Sequence, residues 1–161
     1  MNIRVMAACL VALLLPAGAH AASVWEFDGA CKAVTKEGDK AADLSKTTPT
    51  AIPCEAAMLM RGANGVAVLT AGKLNGGGVP IGFGSSNFQL KSSGKMVTMS
   101  VDTLHVGTAK GVDATGACLF FGPDIGKVTT ISCNATVVTG SRKKLIGVNI
   151  KVASVRVIQA Q

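Results

Sequence analysis

Alternation of apolar and polar residues with a period of two is the feature that most restricts the fold of this chain. It occurs in three segments, 97–102, 130–137 and 148–152. The apolar positions of these segments are Val97, Met99, Val101, Ile131, Cys133, Ala135, Val137, Val148, Ile150 and Val152. Successive side chains of a strand point to opposite faces, so the pattern predicts β-strands with one buried face.

The last of these segments changes phase near the C-terminus. After Val152 the apolar positions continue at Val155 and Val157, which belong to the opposite set. One extra residue inserted into a strand produces such a shift. The sequence therefore predicts a β-bulge near Ala153-Ser154.

Short apolar segments bounded by turn residues supply further strands. These segments are 24–27, 56–60, 66–71, 79–83 and 118–121. Asn64-Gly65 is typical of a two-residue hairpin turn, and Gly76-Gly77-Gly78 predicts another turn. About eight to ten strands at this spacing predict an all-β fold, either a small antiparallel barrel or a sandwich. The pattern does not choose between them.

Four cysteines, Cys31, Cys54, Cys118 and Cys133, follow the N-terminal segment and allow three disulfide pairings. A weak repeat favours one of them, because Gly-Ala-Cys occurs at 29–31 and again at 116–118, each followed by a second cysteine. We expect two disulfide-closed hairpins, Cys31–Cys54 and Cys118–Cys133, while the other pairings remain open. The close Cys pairs of structural zinc sites are absent from the sequence, so no metal or other cofactor is expected.

The first 21 residues have the composition of a secretory signal peptide. Arg4 precedes an apolar stretch from Val5 to Leu15, and Ala19-His20-Ala21 fits a cleavage site. The apolar stretch is too short to span a bilayer, and no later segment is longer. We therefore expect a signal peptide at 1–21, a single disulfide-stapled β domain at 22–161, and a periplasmic or secreted location.

Basic residues form two candidate partner-binding regions. Only Arg4 leaves with the signal, which lowers the formal net charge from +7 to +6. One region is the cluster 142–144, placed on a hairpin turn after Gly140-Ser141; the other is the polar segment 36–53, which includes one short helical turn. The candidate residues are Lys36, Lys40, Lys46, Arg142, Lys143 and Lys144. A solvated turn and a loop without function are the alternatives.

Residues suited to catalysis are few. His105 is the only histidine after the signal, and Asp102 would face the opposite side of the same strand unless the alternation slips. Glu26, Asp28 and Glu55 lie near predicted strand ends but form no motif. We expect His105 to be structural and the chain to be no enzyme.

The function that these patterns favour is macromolecular binding outside the cytoplasm. We expect a non-catalytic β module that binds a protein or an envelope polymer, for example as an inhibitor or an assembly factor. No specific nucleic-acid binding is expected, because the chain has no Tyr, one Trp and five Phe, and none lies beside the basic cluster. The alternative is a small β-barrel that carries an apolar ligand.

Overall fold

A computed structural model describes residues 23–62, 66–73, 80–86, 88, 91–92, 94–107 and 110–159. The predicted signal peptide and the predicted turns at Asn64-Gly65 and Gly76–Gly78 lie outside the described residues. Within the described ranges, no helix has the length and apolar character needed to cross a membrane.

Ten antiparallel strands and two short 3-10 helices make up the described secondary structure. The strands are β1 (Ser23–Asp39), β2 (Thr50–Ile52), β3 (Ala56–Arg61), β4 (Ala67–Gly72), β5 (Ile81–Ser85), β6 (Lys91–Ser92), β7 (Met96–Val106), β8 (Val112–Phe121), β9 (Thr130–Thr139) and β10 (Arg142–Gln159). The 3-10 helices are Leu44–Lys46 and Ile125–Lys127. The predicted all-β class and strand number are confirmed.

Eight of the strands form a closed ring in the order β1-β3-β4-β5-β7-β8-β9-β10, and β10 returns to pair with β1. β2 is added beside β1, and β6 pairs with β7. Closure decides between the two predicted architectures in favour of a barrel.

The closing pair, β1 and β10, is matched along its whole length, from Ser23 opposite Gln159 to Asp39 opposite Arg142. β3 accompanies β1 only as far as Asp28, and beyond this point β2 takes its place. We call the resulting region of β2, β1, β10 and β9 the seam sheet (residues 50–52, 30–39, 142–151 and 130–139). Its end near Asp39 and Arg142 is the seam tip.

Large apolar side chains fill the inside of the barrel among the described residues. Phe27, Phe83 and Phe120 are fully buried, and the rings of Phe27 and Phe120 lie 6.3 Å apart between centroids. They belong to one continuous cluster of buried residues. An eight-stranded barrel is just wide enough for side chains to fill or to hold one small ligand. The described inward side chains of this barrel pack against one another in that volume.

The predicted bulge in β10 is present. Asp28 pairs with Ser154 and the next residue, Gly29, pairs with Val152, so Ala153 has no opposite residue. A second register shift separates Val101 from Thr103 in the β7–β8 pair. Each shift changes which set of residues faces inward.

Both predicted disulfides are present. Cys118 and Cys133 lie directly opposite each other on β8 and β9, with Cα atoms 4.0 Å apart. Cys31 lies on β1, and Cys54 lies in the connection between β2 and β3. The Cys118–Cys133 bridge therefore joins two neighbouring strands of the barrel, whereas the Cys31–Cys54 bridge ties a connection to strand β1.

Candidate binding surface

The seam tip begins with a tight hairpin between β9 and β10. Thr139 pairs with Arg142, so Gly140 and Ser141 form a two-residue turn. Gly140 has a φ of +58°, which glycine adopts without strain. The predicted turn is thus in place, and the basic cluster forms the first three residues of β10 after it.

Strand alternation divides this basic cluster between two faces. Lys144 lies opposite Glu37 in the β1–β10 register, and its Nζ is 2.7 Å from a Glu37 carboxylate oxygen. Arg142 lies opposite Asp39, with 3.5 Å between the closest N and O atoms. The hydrogen bond and positive charge of Lys144 lower the pKa of Glu37. Two of the three cations are therefore neutralised, which the sequence reasoning missed.

The paired cations line a cleft on the inward side of the seam tip. Its volume is about 250 Å³. The lining residues are Glu37, Val137, Thr139, Arg142, Lys143 and Lys144. Because the ion pairs occupy its charged groups, this cleft offers no free cation from Arg142 or Lys144.

The outer face of the seam tip has a different charge balance. Lys36, Lys46 and Lys143 all act on one carboxylate, that of Asp43. Hydrogen bonds from the Ser45 side chain and backbone lower the pKa of Asp43, and the charges of Lys143 and Lys36 lower it further. Lys46 lies 3.8 Å from Asp43, Lys36 reaches the neighbouring Ser45, and Lys143 acts on the acid through its charge, so three predicted binding cations share one carboxylate.

Much of the predicted loop at 36–53 is regular secondary structure. Residues 36–39 belong to β1, and Thr50–Ile52 forms β2. The helical turn is present as the 3-10 helix Leu44–Lys46, and buried Leu44 anchors it. Lys36 Nζ donates to the Ser45 carbonyl at 3.3 Å, and the Lys40 amide donates to the Ser141 carbonyl at 2.7 Å. These contacts hold the segment onto the seam tip and place Lys40 beside the turn.

A groove of about 380 Å³ lies on the outer face of the seam sheet, further from the tip. We call it the seam groove. Its lining residues are Lys32, Val34, Ser132, Cys133, Asn134, Gly147, Val148 and Asn149. Gly147 lies between Val34 on β1 and Asn134 on β9, and its missing side chain deepens the groove. Sequence reasoning missed this site; a glycine within an otherwise alternating strand is the signal that could have indicated it.

The carboxylates considered for catalysis are engaged separately. Glu26 lies 2.9 Å from Arg156, and Glu55 lies 3.6 Å from Lys73. Asp28 accepts a hydrogen bond from the Ser154 hydroxyl at 3.3 Å. Each of these contacts joins neighbouring strands or connections.

Asp102 and His105 lie on the strand where the alternation slips. Buried Val101 and Leu104 are separated by two partly exposed residues, which places Asp102 and His105 toward the same side. Asp102 accepts from the Ser86 amide at 2.7 Å and from the Thr103 hydroxyl at 2.8 Å. Burial raises the pKa of Asp102, but the hydrogen bonds from Ser86 and Thr103 outweigh it and the pKa is lowered.

His105 packs beside three glycines. Cβ atoms built on Gly82, Gly84 and Gly111 would all contact the His105 side chain. The histidine therefore fills space that these glycines leave open on the outside of the barrel. This placement is consistent with the structural role predicted for it.

Comparison of the chain with protein-family models, with curated proteins and with solved structures gave no match.

Proposed function

We propose that this chain is an exported, non-catalytic β-barrel module that binds a macromolecular partner through the outer face of the seam tip. The observation that supports the proposal most strongly is the gathering of Lys36, Lys46 and Lys143 around the single carboxylate of Asp43. Clustered positive charge attracts acidic partners, whereas the same charge spread evenly does not.

The seam tip is also held in place before any partner arrives. The Cys31–Cys54 disulfide closes the segment 31–54 at its base, and the Lys144–Glu37 ion pair joins β10 to β1. Ordering a loop during binding costs free energy, so a surface that is already fixed binds more tightly. This rigidity supports binding as the role of the region.

The proposed location outside the cytoplasm draws support from the two disulfides, which persist mainly in oxidising compartments. The alternative function, carriage of an apolar ligand, gains no support from the described residues, because their inward side chains pack against one another. The seam tip is therefore the better candidate for the site of function.

A retention experiment tests this proposal. Tagged chain beginning at residue 22 is incubated with envelope and secreted material and washed at moderate salt, which weakens diffuse electrostatic adhesion. Lys36→Gln with Lys143→Gln should reduce retention of the partner about tenfold or more, because two cations leave one face. Lys95→Gln with Lys127→Gln changes the total charge equally at other sites and should retain the partner.

Two results would contradict the proposal. One is recovery of nothing above background with the unaltered chain. The other is equal loss of retention in the two double variants, which would show that net charge alone is responsible.

A further inference from the structure

We propose that the seam groove binds an acidic polysaccharide, with Lys32 pairing with a sugar carboxylate and Asn134 and Asn149 hydrogen-bonding to sugar hydroxyl groups. The inference deepens the proposed binding function by naming a ligand class. Its ligand contacts, Lys32, Asn134 and Asn149, are not residues of the seam tip, so variants of either site test it separately, although Lys36 and Lys143 contribute charge to both surfaces.

The groove follows a row of residues across the strands, with Gly147 at its centre. The register places Ala117, Asn134, Gly147, Val34 and Ala51 side by side on β8, β9, β10, β1 and β2. The neighbouring row consists of Ser132, Asn149 and Lys32 on β9, β10 and β1, and these side chains form one wall of the groove. The volume of about 380 Å³ falls within the range of small-molecule sites and suits a segment of a linear polymer.

Three side chains supply hydrogen-bonding groups to an otherwise largely apolar groove. The amide groups of Asn134 and Asn149 both donate and accept hydrogen bonds, and the Ser132 hydroxyl does the same. Asn134 and Asn149 are exposed on the outer face. A sugar hydroxyl also donates and accepts, so alternating pairs form without leaving either group unpaired.

The charge of the surrounding face favours an acidic ligand. The outward positions of 130–138, 30–38 and 143–151 carry no Asp or Glu, and all of these residues are described. They carry four lysines, Lys32, Lys36, Lys143 and Lys151; Lys36 and Lys143 also act on Asp43 of the neighbouring segment, so the four cations outnumber that carboxylate. Lys143 and Lys151 are eight residues apart on β10, which corresponds to about 26 Å at the usual rise of a strand. Cations spread over this length match a linear polyanion better than a single small anion.

Other acidic polymers fit this face less well. Nucleic-acid strands bind proteins largely by stacking bases on aromatic side chains, and these outward positions contain none. An acidic peptide would satisfy the lysines, but it would offer backbone amides rather than hydroxyl groups to the asparagines. The acidic polysaccharide uses both sets of groups.

Titration calorimetry of the chain from residue 22, with polygalacturonate as the probe, tests the inference. Neutral dextran and polyglutamate are measured in parallel at the same moderate salt concentration. Polygalacturonate should bind at least about tenfold more tightly than either, which corresponds to about 1.4 kcal/mol. Dextran lacks the carboxylate for Lys32, and polyglutamate lacks the hydroxyl groups for the two asparagines.

Substitution of the groove floor separates shape from charge. A Cβ at Gly147 would make only ordinary contacts, 3.7 Å from Val34 Cγ2 and 3.8 Å from the Cys133 carbonyl. Gly147→Leu should fill the groove and weaken polygalacturonate binding about tenfold, and circular dichroism checks that the variant keeps its fold. Asn149→Ala is a second variant that keeps the glycine and should weaken binding about threefold or more.

Removal of one charge provides the matched control. Lys32→Gln should weaken polygalacturonate binding several-fold, whereas Lys95→Gln, an equal change of charge elsewhere, should leave it unchanged. Equal losses in these two variants would overturn the inference and indicate diffuse attraction. Polyglutamate binding as tight as polygalacturonate binding would overturn it in favour of an acidic peptide.

The two proposals fail separately. Lys36→Gln with Lys143→Gln leaves the groove lining at Lys32, Asn134 and Asn149 intact. If polygalacturonate binds in a Gly147-dependent manner while no partner is retained through the seam tip, only the proposed function fails. If the seam tip retains a partner but polygalacturonate does not bind, the groove assignment is overturned.

Discussion

The two disulfide-closed hairpins begin with the same three residues and serve different parts of the barrel. Cys118 and Cys133 are 0% and 2% exposed and join two residues that already face each other across adjacent strands. Cys31 and Cys54 are partly exposed and join a strand to a connection between strands. One bridge is part of the packed core, whereas the other anchors the segment that forms the seam tip. A shared sequence repeat thus identified the pairing but not the role.

What the two hairpins share lies in their glycines rather than in their disulfides. A Cβ on Gly29 would collide with the Lys151 carbonyl oxygen, and one on Gly116 would collide with the Asn134 carbonyl oxygen. Each glycine also adjoins a register shift in its sheet. The repeated Gly-Ala-Cys therefore places a close approach of two backbones two residues before an inward cysteine.

Removal of the disulfides, one at a time, should give the largest difference between the hairpins. The loop-closure model assigns about 3 kcal/mol to a loop of 15 residues and slightly more to one of 23. Replacing Cys118 and Cys133 by Ala also leaves a cavity in the core, so we expect a loss of about 4–5 kcal/mol in unfolding free energy. Replacing Cys31 and Cys54, which are partly exposed, should cost only the loop-closure value of about 3 kcal/mol. Chemical denaturation of the two double variants measures both; a larger loss for Cys31 and Cys54 would show that loop length outweighs burial.

Substitution of the shared glycines tests the feature that the hairpins have in common. Gly29→Ala and Gly116→Ala should each lower the unfolding free energy by about 2–3 kcal/mol, because a strand must move to admit the methyl group. Gly147→Ala, which meets only ordinary contacts, is the control and should change it by less than about 0.5 kcal/mol. Thermal unfolding followed by circular dichroism supplies the measurement. A neutral Gly29→Ala would mean that the bulge in β10 yields easily and that the two glycines are not equivalent.

The ion pair at the seam tip should have the smallest effect, because its side chains are exposed and screened by solvent. Folding lowers the pKa of Glu37, so its contribution to stability is present at neutral pH and is lost as the pH falls through that lowered pKa. The stability difference between the unaltered chain and Glu37→Gln should therefore shrink below about pH 4. Lys144→Gln should remove the same pH dependence. A difference that persists unchanged to pH 2 would contradict this assignment.

Local patterns in the sequence predicted the local structure well. The alternation at 131–135 matches the buried positions of β9, and the phase change after Val152 correctly placed the bulge at Ala153. Both features depend only on neighbours along one strand. The choice of a barrel was not predictable in this way, because it depends on the pairing of Ser23 with Gln159 across most of the chain.

The candidate surfaces were only partly predictable for a related reason. The basic residues at 142–144 were visible in the sequence, but their neutralisation depends on register. A slip of one residue would place Glu37 opposite Lys143 instead of Lys144 and would exchange the two faces. The seam groove likewise requires that Gly147 meet Val34 and Asn134 from two other strands. Single-strand periodicity carries no information about such neighbours.

The pairing of β1 with β10 also bears on how quickly and in what order the barrel forms. The strands that close the ring are the first and last of the described chain, so their contacts have the greatest separation in sequence. Closing so large a loop is entropically costly, and proteins dominated by distant contacts fold slowly. Until β10 is in place, β1 and β9 each present an open strand edge, and such edges pair readily with other chains. Completion of this one seam therefore separates the closed barrel from an aggregation-prone intermediate.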